Sequence, residues 1–277
     1  MKPPSKAPLR LGRVIAVANQ KGGVGKTTTA VSVAAFLAEA GSAVLLCDLD
    51  PQANATSSLG GAPAVGPSAY DVLVDGIPVG DAVVPSVVPG LHFLPATVDL
   101  AGAELELASA LGREHRLRRA LEPALADFDV VLIDCPPSLG LLTVNALAAS
   151  DAVLVPVQCE YFALEGLGAL RRNVDLVRSH LNPGLRILGL VLTMLDGRTR
   201  LSSEVVAEVE AHFGELVLPT RIPRSVRLAE APGFGQPISV FDPSSRGAVA
   251  YRALAADVFQ RLAQLTPAEP AARAGRS

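Results

Sequence analysis

The chain has 277 residues, of which 49% are hydrophobic and 18% are charged, and its net charge is −3. This size and composition suit a folded domain with a large core and exclude an intrinsically disordered chain. The three cysteines and four histidines are too scattered for a disulfide framework or a zinc site. We see neither a membrane-spanning apolar run nor a secretory signal, so we expect a cytoplasmic protein.

The charge is distributed unevenly along the chain. Residues 1–170 contain 10 basic and 17 acidic residues, a net charge of −7, whereas residues 171–277 contain 14 and 10, a net charge of +4. Every basic residue in the second part is Arg. This asymmetry permits a surface that faces nucleic acid, although a pI near 5.8 argues against a protein that binds DNA at all times.

Short apolar segments of strand length alternate with helical segments. This alternation predicts an α/β fold: a mostly parallel sheet with helices on both faces and ligands at the carboxyl ends of the strands. We expect one domain over residues 13–265, with flexible tails at 1–12 and 266–277. In chain order, the predicted elements are a strand at 13–19, a helix at 27–40, a strand at 43–47, a Gly/Pro-rich connection at 60–90 with one helical turn near 70–74, a strand at 91–94, a helix at 100–125, a strand at 130–133, a helix at 140–149, a strand at 152–157, a helix at 164–181, a strand at 186–192, a helix at 202–213, a strand at 217–221 and a helix at 244–265.

The strongest motif lies between the first predicted strand and the first predicted helix. Residues 19–29 read Asn-Gln-Lys-Gly-Gly-Val-Gly-Lys-Thr-Thr-Thr. Clustered glycines let backbone N–H groups converge on phosphate oxygens, and the start of the helix adds its positive dipole end. We expect Lys26 to bridge the β- and γ-phosphates, the Thr27 hydroxyl to bind Mg²⁺ and Thr28 to reach the α-phosphate.

Carboxylates follow two further strands. Asp48 and Asp50 lie at the end of the strand at 43–47, and Asp134 ends the strand at 130–133. An apolar strand that ends in Asp is the Walker B pattern, in which the carboxylate holds Mg²⁺ through a bound water. Three such residues behind a phosphate loop favour a nucleotide site over three separate helix caps.

The phosphate loop departs from the common pattern in one informative way. Gln20 stands where the pattern has Gly, and a second lysine, Lys21, follows it. This form resembles the deviant Walker A motif of the ParA/MinD class of ATPases. The resemblance implies that Lys21 reaches the nucleotide of a partner subunit and that Asp50 orients the attacking water. It also implies that Asp48 supports the Mg²⁺ and lysine end of the site, which makes Asp48 a metal residue together with Thr27 and Asp134. The expected nucleotide contacts are Gln20, Lys21, Gly22, Gly23, Val24, Gly25, Lys26, Thr27 and Thr28.

The similarity extends over residues 13–265. Segments 156–166, 193–199 and 222–232 resemble Soj-type ParA proteins, although Ser225 stands where many members have Asn and Gln236 where a Lys often lies. The resemblance implies an adenine pocket around Met194 and Pro223. It also implies a DNA-binding surface in which Arg198 and Arg227 contact DNA, and we add Arg200 and Arg224 as helper candidates.

This resemblance implies a chromosome or plasmid partition ATPase that uses ATP and Mg²⁺. The ATP-bound form would be a sandwich homodimer that binds double-stranded DNA without sequence preference, which places it on the nucleoid. A ParB-like centromere-binding protein would stimulate hydrolysis and release the DNA.

Four alternatives share this type of phosphate loop, and the sequence argues against three of them. A MinD-like protein would need a basic amphipathic membrane helix at its end, but the last predicted helix contains no lysine and has the apolar spacing of a core helix. A nitrogenase iron protein would need cluster cysteines in another pattern, and a cobyrinate-type amidase would need a substrate domain for which few residues are left. A ParA-like ATPase that positions another cargo shares the whole mechanism and stays open.

Overall fold

The computed structural model describes residues 12–61, 66–160, 163–196 and 199–265, without the side chains of residues 163–165, 200 and 201. The strands are β1 (Arg13–Val17), β2 (Val44–Asp48), β3 (Val84–Pro85), β4 (Leu91–Leu94), β5 (Val130–Asp134), β6 (Ala152–Gln158), β7 (Arg186–Leu195) and β8 (Val217–Pro223). The α-helices are α1 (Lys26–Glu39), α2 (Asn54–Ser58), α3 (Ala69–Val74), α4 (Val79–Ala82), α5 (Leu100–Glu106), α6 (Arg116–Leu121), α7 (Leu141–Ala149), α8 (Ala163–His180), α9 (Arg200–Phe213), α10 (Val226–Glu230), α11 (Ile238–Phe241) and α12 (Arg246–Gln264).

The eight strands form one sheet in the order β3-β4-β2-β5-β1-β6-β7-β8. All neighbours are parallel except β3 and β4, which pair antiparallel. The register places Asp134 beside Val17 on one side and beside Asp48 on the other. The carboxyl ends of β1, β2 and β5 therefore meet at one edge of the sheet, where ligands bind in open α/β folds.

Each face of the sheet has its own apolar core, which confirms the predicted layers. Helices α1 and α12 pack together on one face, where the apolar side chains among residues 30–38 of α1 share a core with Tyr251, Leu254 and Val258 of α12. Helices α3, α5, α6, α7, α8 and α9 cover the other face. Because both faces are covered, the central strands are apolar without alternation, as the sequence predicts.

The predicted helix over residues 100–125 is wrong as one element. The segment forms α5, α6 and three short 3₁₀ segments instead. Gly112 has a φ of +60°, which no continuing helix allows, and Pro123 lies in the last 3₁₀ segment. Leu105 and Leu111 are 81% and 94% exposed, so the apolar spacing that suggested one long helix does not correspond to one buried face.

The structure differs from the prediction also in several short elements and element boundaries. The predicted connection at 60–90 contains α3, α4 and β3. The last helix begins at Arg246, because the Ser245 hydroxyl caps it by accepting a hydrogen bond from the Ala248 N–H. Helices α2, α10 and α11 have four or five residues each, too few for a periodic pattern. Two flexible tails are predicted, at residues 1–12 and 266–277. Residues 1–11 and 266–277 lie outside the described residues. No described helix is both long enough and apolar enough to cross a membrane.

Candidate nucleotide site

The glycine-rich segment connects β1 to α1 at the carboxyl edge of the sheet. Gly23 and Gly25 have φ values of +74° and +86°, a conformation that side chains with a Cβ rarely adopt. Gly22 and Gly23 are exposed and Val24 is buried. Thr193 at the end of β7 donates its hydroxyl proton to the Val24 carbonyl over 2.9 Å, so β7 anchors the loop. The segment thus has the geometry of a phosphate cradle at the head of a 14-residue helix.

Lys26 begins α1 and its side chain is buried, with 7% exposure. Its ammonium donates to the Lys21 carbonyl over 3.2 Å. Burial lowers the pKa of Lys26, and the neighbouring Asp134, Cys135 and Asp50 oppose that shift. A buried ammonium next to two carboxylates is placed to bind an anion that enters the loop.

Asp134 is the most unusual polar group in this region. Its side chain is fully buried, and neither carboxylate oxygen has a hydrogen-bond partner among the described residues. Burial raises the pKa of Asp134 well above its usual value, and the Asp48 carboxylate raises it further. Thr27 and Lys26 partly offset this increase from nearby positions, yet neither completes a hydrogen bond to the carboxylate. A buried, unpartnered carboxylate is costly unless a cation or water uses it.

These residues fit a magnesium ion. A carboxylate and the hydroxyl of Thr27 are hard oxygen donors, and Mg²⁺ typically uses few protein ligands together with water and phosphate oxygens. Among the described residues, no group of three His, Cys, Asp or Glu side chains converges on one metal position.

Asp48 and Asp50 have different surroundings. Asp48 is buried, and its oxygens accept hydrogen bonds from Asp50 N at 3.1 Å and from the N–H and hydroxyl of Thr56, both at 2.8 Å. Burial raises the pKa of Asp48 to about 6. Asp50 is also buried, and it accepts from Gln52 N at 3.0 Å. Asp48 is therefore committed to contacts within the protein, which suits a supporting role.

Lys21 makes an ion pair within its own chain. Its ammonium lies 2.8 Å from Glu160, and Gln158 at the end of β6 also donates to that carboxylate. The side chains of Lys21 and Glu160 are 39% and 47% exposed. Asn19 fixes the backbone below, accepting from Lys21 N at 3.0 Å and donating to the Pro156 carbonyl at 2.7 Å. Lys21 therefore lies at the surface of the site, and its ion pair with Glu160 is accessible to solvent.

The predicted adenine residues lie on neighbouring strands. Met194 has a φ of +53° near the end of β7, and Pro223 ends β8, paired in register with Leu195. A Cβ on Gly25 would lie 3.9 Å from the Met194 Cε atom, so the Met194 side chain lies near the phosphate loop. The fold brings both residues to the nucleotide edge, and the adenine contact itself stays a prediction.

The arginine candidates differ in whether a neighbouring carboxylate already pairs with their charge. Arg224 is exposed just after β8 and has no ion-pair partner within the described part of the chain. Arg227 lies 3.0 Å from Glu230 and 3.1 Å from Asp242, with its guanidinium over the Phe241 ring. Arg198 lies outside the described residues, and Arg200 begins α9 with a side chain that is not described.

Comparison with known proteins places the chain in a family. The AAA domain family model matches residues 12–187. The sporulation initiation inhibitor protein Soj of Bacillus subtilis is 55% identical, with 90% of this chain and 98% of that protein covered. The chromosome partitioning protein ParA of Myxococcus xanthus is 49% identical over 91% of this chain and 89% of its own length. The chromosome-partitioning ATPase Soj of Thermus thermophilus is 55% identical over 90% and 96%.

The chain belongs to the Soj/ParA family of chromosome-partitioning ATPases. This confirms the family that the deviant phosphate loop and the three later segments predict. It also favours the partition ATPase over the MinD-like and cargo-positioning alternatives.

Two solved structures relate this Soj/ParA chain to its wider class. The cell division ATPase MinD of Pyrococcus furiosus is 29% identical, with a TM-score of 0.75 over 90% of this chain and 99% of that one. A Mycobacterium smegmatis protein described as cobyrinic acid a,c-diamide synthase is 44% identical, with a TM-score of 0.80 and a coverage of 91% and 96%. It was solved with an ATP analogue and magnesium. That protein and this chain cover each other almost completely, so the expectation that an amidase would need an additional substrate domain is not supported.

Proposed function

We propose that this chain partitions DNA as an ATP-controlled dimer. ATP binding would join two subunits, the dimer would bind double-stranded DNA without sequence preference, and hydrolysis stimulated by a ParB-like partner would release it. The observation that carries the proposal is the buried, unpartnered Asp134 carboxylate beside Lys26 at the head of a phosphate loop. A buried carboxylate without a hydrogen-bond partner beside a buried ammonium supports a ligand containing both phosphate and a divalent cation.

We assign the nucleotide contacts as follows. The N–H groups of the loop from Gln20 to Thr28 and the Lys26 ammonium would bind the phosphates, and Met194 and Pro223 would face the adenine. Thr27 and Asp134 would hold Mg²⁺, which when bound neutralises charge on the phosphate oxygens. Asp50 would orient the attacking water, and Asp48 would fix Asp50 through the Asp50 N–H.

Lys21 is proposed to act on the nucleotide of the partner subunit. An ion pair as exposed as that between Lys21 and Glu160 contributes only about 0.2–1 kcal/mol, so a triphosphate can displace Glu160. We expect Lys21→Ala to bind ATP with nearly unchanged affinity but to lose most ATP-dependent dimerisation and turnover. Size-exclusion chromatography with ATP, together with a nucleotide-binding assay, measures both properties.

Glu160→Gln is the matched control, because it breaks the same ion pair and keeps the lysine. It should still dimerise with ATP. If Lys21→Ala dimerises as the wild type does, Lys21 has no role across the interface. If both variants fail to dimerise, the ion pair within the chain is what matters and the proposed action on the partner is wrong.

The DNA surface is proposed to contain Arg198, Arg200, Arg224 and Arg227. Arg224 is the most direct test, since it is exposed and unpaired in the described structure, whereas Glu230 and Asp242 already neutralise Arg227. Arg224→Glu would remove one phosphate contact per subunit and two per dimer. We expect weaker DNA binding and a salt dependence reduced by about 1.8 in the slope of log affinity against log salt.

Arg178→Glu is the control for Arg224→Glu. Arg178 is half exposed at the end of α8, a helix that leads from the carboxyl end of β6 back towards the amino end of β7. The two arginines therefore lie at opposite edges of the sheet, and Arg178→Glu should bind DNA normally. Equal loss in both variants would indicate a general charge effect and contradict the assigned surface.

The overall proposal is tested by DNA binding in three nucleotide states. Fluorescence anisotropy with a labelled duplex should give tight binding with ATP and much weaker binding with ADP or without nucleotide. An amidase that uses the same cradle has no reason to bind DNA in any state. Equal binding in the three states, or none, would overturn the proposed function.

A further inference from the structure

Thr56 occupies an unusual position in the short helix α2. Its side chain is 1% exposed, and its hydroxyl donates to Asp48 at 2.8 Å while accepting from the Ala96 N–H at 2.9 Å. The Thr56 N–H donates to the same oxygen of Asp48, also at 2.8 Å. One residue thus holds the carboxylate with two hydrogen bonds and connects it to the loop after β4.

The neighbouring hydroxyls show that this arrangement is not the default. A hydroxyl in a helix commonly donates to the carbonyl four residues earlier. Ser57 does so to Ala53 at 3.0 Å, and Ser58 does so to Asn54 at 2.7 Å. Thr56 alone of these three directs its hydroxyl to a buried carboxylate, and such charge-assisted bonds are stronger than bonds between neutral groups.

The contact continues to the residue proposed to orient water. The second oxygen of Asp48 accepts from Asp50 N at 3.1 Å, and Asp50 accepts from Gln52 N at 3.0 Å. Ala53, which precedes α2, has a φ of +54°, so the turn between Asp50 and α2 is itself held in an uncommon conformation. A substitution of Thr56 would therefore affect Asp50 through the Asp48 side chain.

We propose that Thr56 is a positioning residue for ATP hydrolysis. It holds Asp48 in the one orientation that fixes the Asp50 backbone, and so it sets the direction of the Asp50 carboxylate. This inference rests on the proposed role of Asp50. Thr56 itself touches no reacting atom, so its loss should lower kcat and leave KM for ATP within about twofold.

The test compares variants with and without the hydroxyl. Thr56→Val keeps the side-chain volume and removes the hydroxyl, and we expect kcat to fall by about tenfold or more. Thr56→Ser keeps the hydroxyl and should retain kcat within about threefold. Ser58→Ala, which removes a neighbouring buried hydroxyl that does not reach Asp48, should leave kcat unchanged. Circular dichroism and thermal melting establish that each variant is folded.

The outcomes separate this inference from the proposed function. A kcat for folded Thr56→Val equal to that of Thr56→Ser would overturn the positioning role. If Thr56→Val does not fold, Thr56→Cys is compared with Thr56→Ser instead. Both variants lack the threonine methyl group, but the Cys thiol is a weaker hydrogen-bond donor than the Ser hydroxyl. Cys and Ser variants with equal kcat would then overturn it. Normal turnover in Asp50→Ala would instead refute the role of Asp50, whatever Thr56 does.

Discussion

Lys26→Ala should lower ATP turnover by about 100-fold or more, comparable to the loss of one preorganised group that stabilises charge in a transition state. The Lys26 ammonium is buried beside Asp134 and Asp50, where a positive charge acts more strongly than in water. Without it, the triphosphate would meet these two carboxylates with no cation from the protein between them. Steady-state phosphate release with saturating ATP and Mg²⁺ measures the effect.

Arg252→Ala is the control for Lys26→Ala. Arg252 is an exposed cation of α12 whose guanidinium lies over Phe36 of α1, so its loss tests whether any cation next to α1 matters. Turnover should stay within about twofold, since exposed charges act weakly on a site. Turnover of Lys26→Ala within threefold of the wild type would contradict the phosphate-loop assignment.

Asp50→Ala should convert the protein into a stable ATP-bound dimer. Asp50 is proposed only to orient water, so ATP should still bind while hydrolysis falls by about 100-fold or more. Because ATP favours the dimer and hydrolysis no longer removes the ATP, the monomer–dimer equilibrium should stay on the side of the dimer. Size-exclusion chromatography with light scattering should give a dimer with ATP and a monomer with ADP.

Asp127→Ala serves as the matched carboxylate control. Asp127 is exposed shortly before the amino end of β5, opposite the nucleotide edge, and its removal should leave hydrolysis and the monomer–dimer cycle as in the wild type. If Asp50→Ala binds ATP yet remains a monomer, or hydrolyses ATP normally, the role given to Asp50 is wrong.

Much of the fold follows from local sequence pattern. Unbroken apolar strands and a 3.6-residue helical period predict the layers and most element boundaries, because each face of the sheet must be covered. The prediction of one helix over residues 100–125 is wrong because local pattern does not determine where this segment breaks. Its helical propensity is high, yet Gly112 adopts a positive φ and Leu111 is exposed, so tertiary packing decides where the helix ends.

The candidate site divides in the same way. The positions of Lys26, Thr27, Asp48, Asp50 and Asp134 were predictable because the motifs place them directly at strand ends and at a helix start, and their roles stay predictions. Glu160, Thr56, Asn19 and Thr193 were missed as partners, since their roles depend on contacts between distant segments. A polar residue that immediately follows a buried strand, such as Asn19 after β1, was the available signal. No local pattern indicates that Thr56 would donate to Asp48.

The central claim is that ATP joins two DNA surfaces, and the salt dependence of DNA binding tests it most directly. A dimer with about five phosphate contacts should lose roughly 500-fold in affinity between 50 and 200 mM salt, whereas a monomer with half as many should lose about 20-fold. We therefore expect the slope with a slowly hydrolysed ATP analogue to be about twice the slope with ADP, and to be the same for unrelated duplex sequences. Equal slopes in the two nucleotide states, or a slope that changes with DNA sequence, would contradict the account.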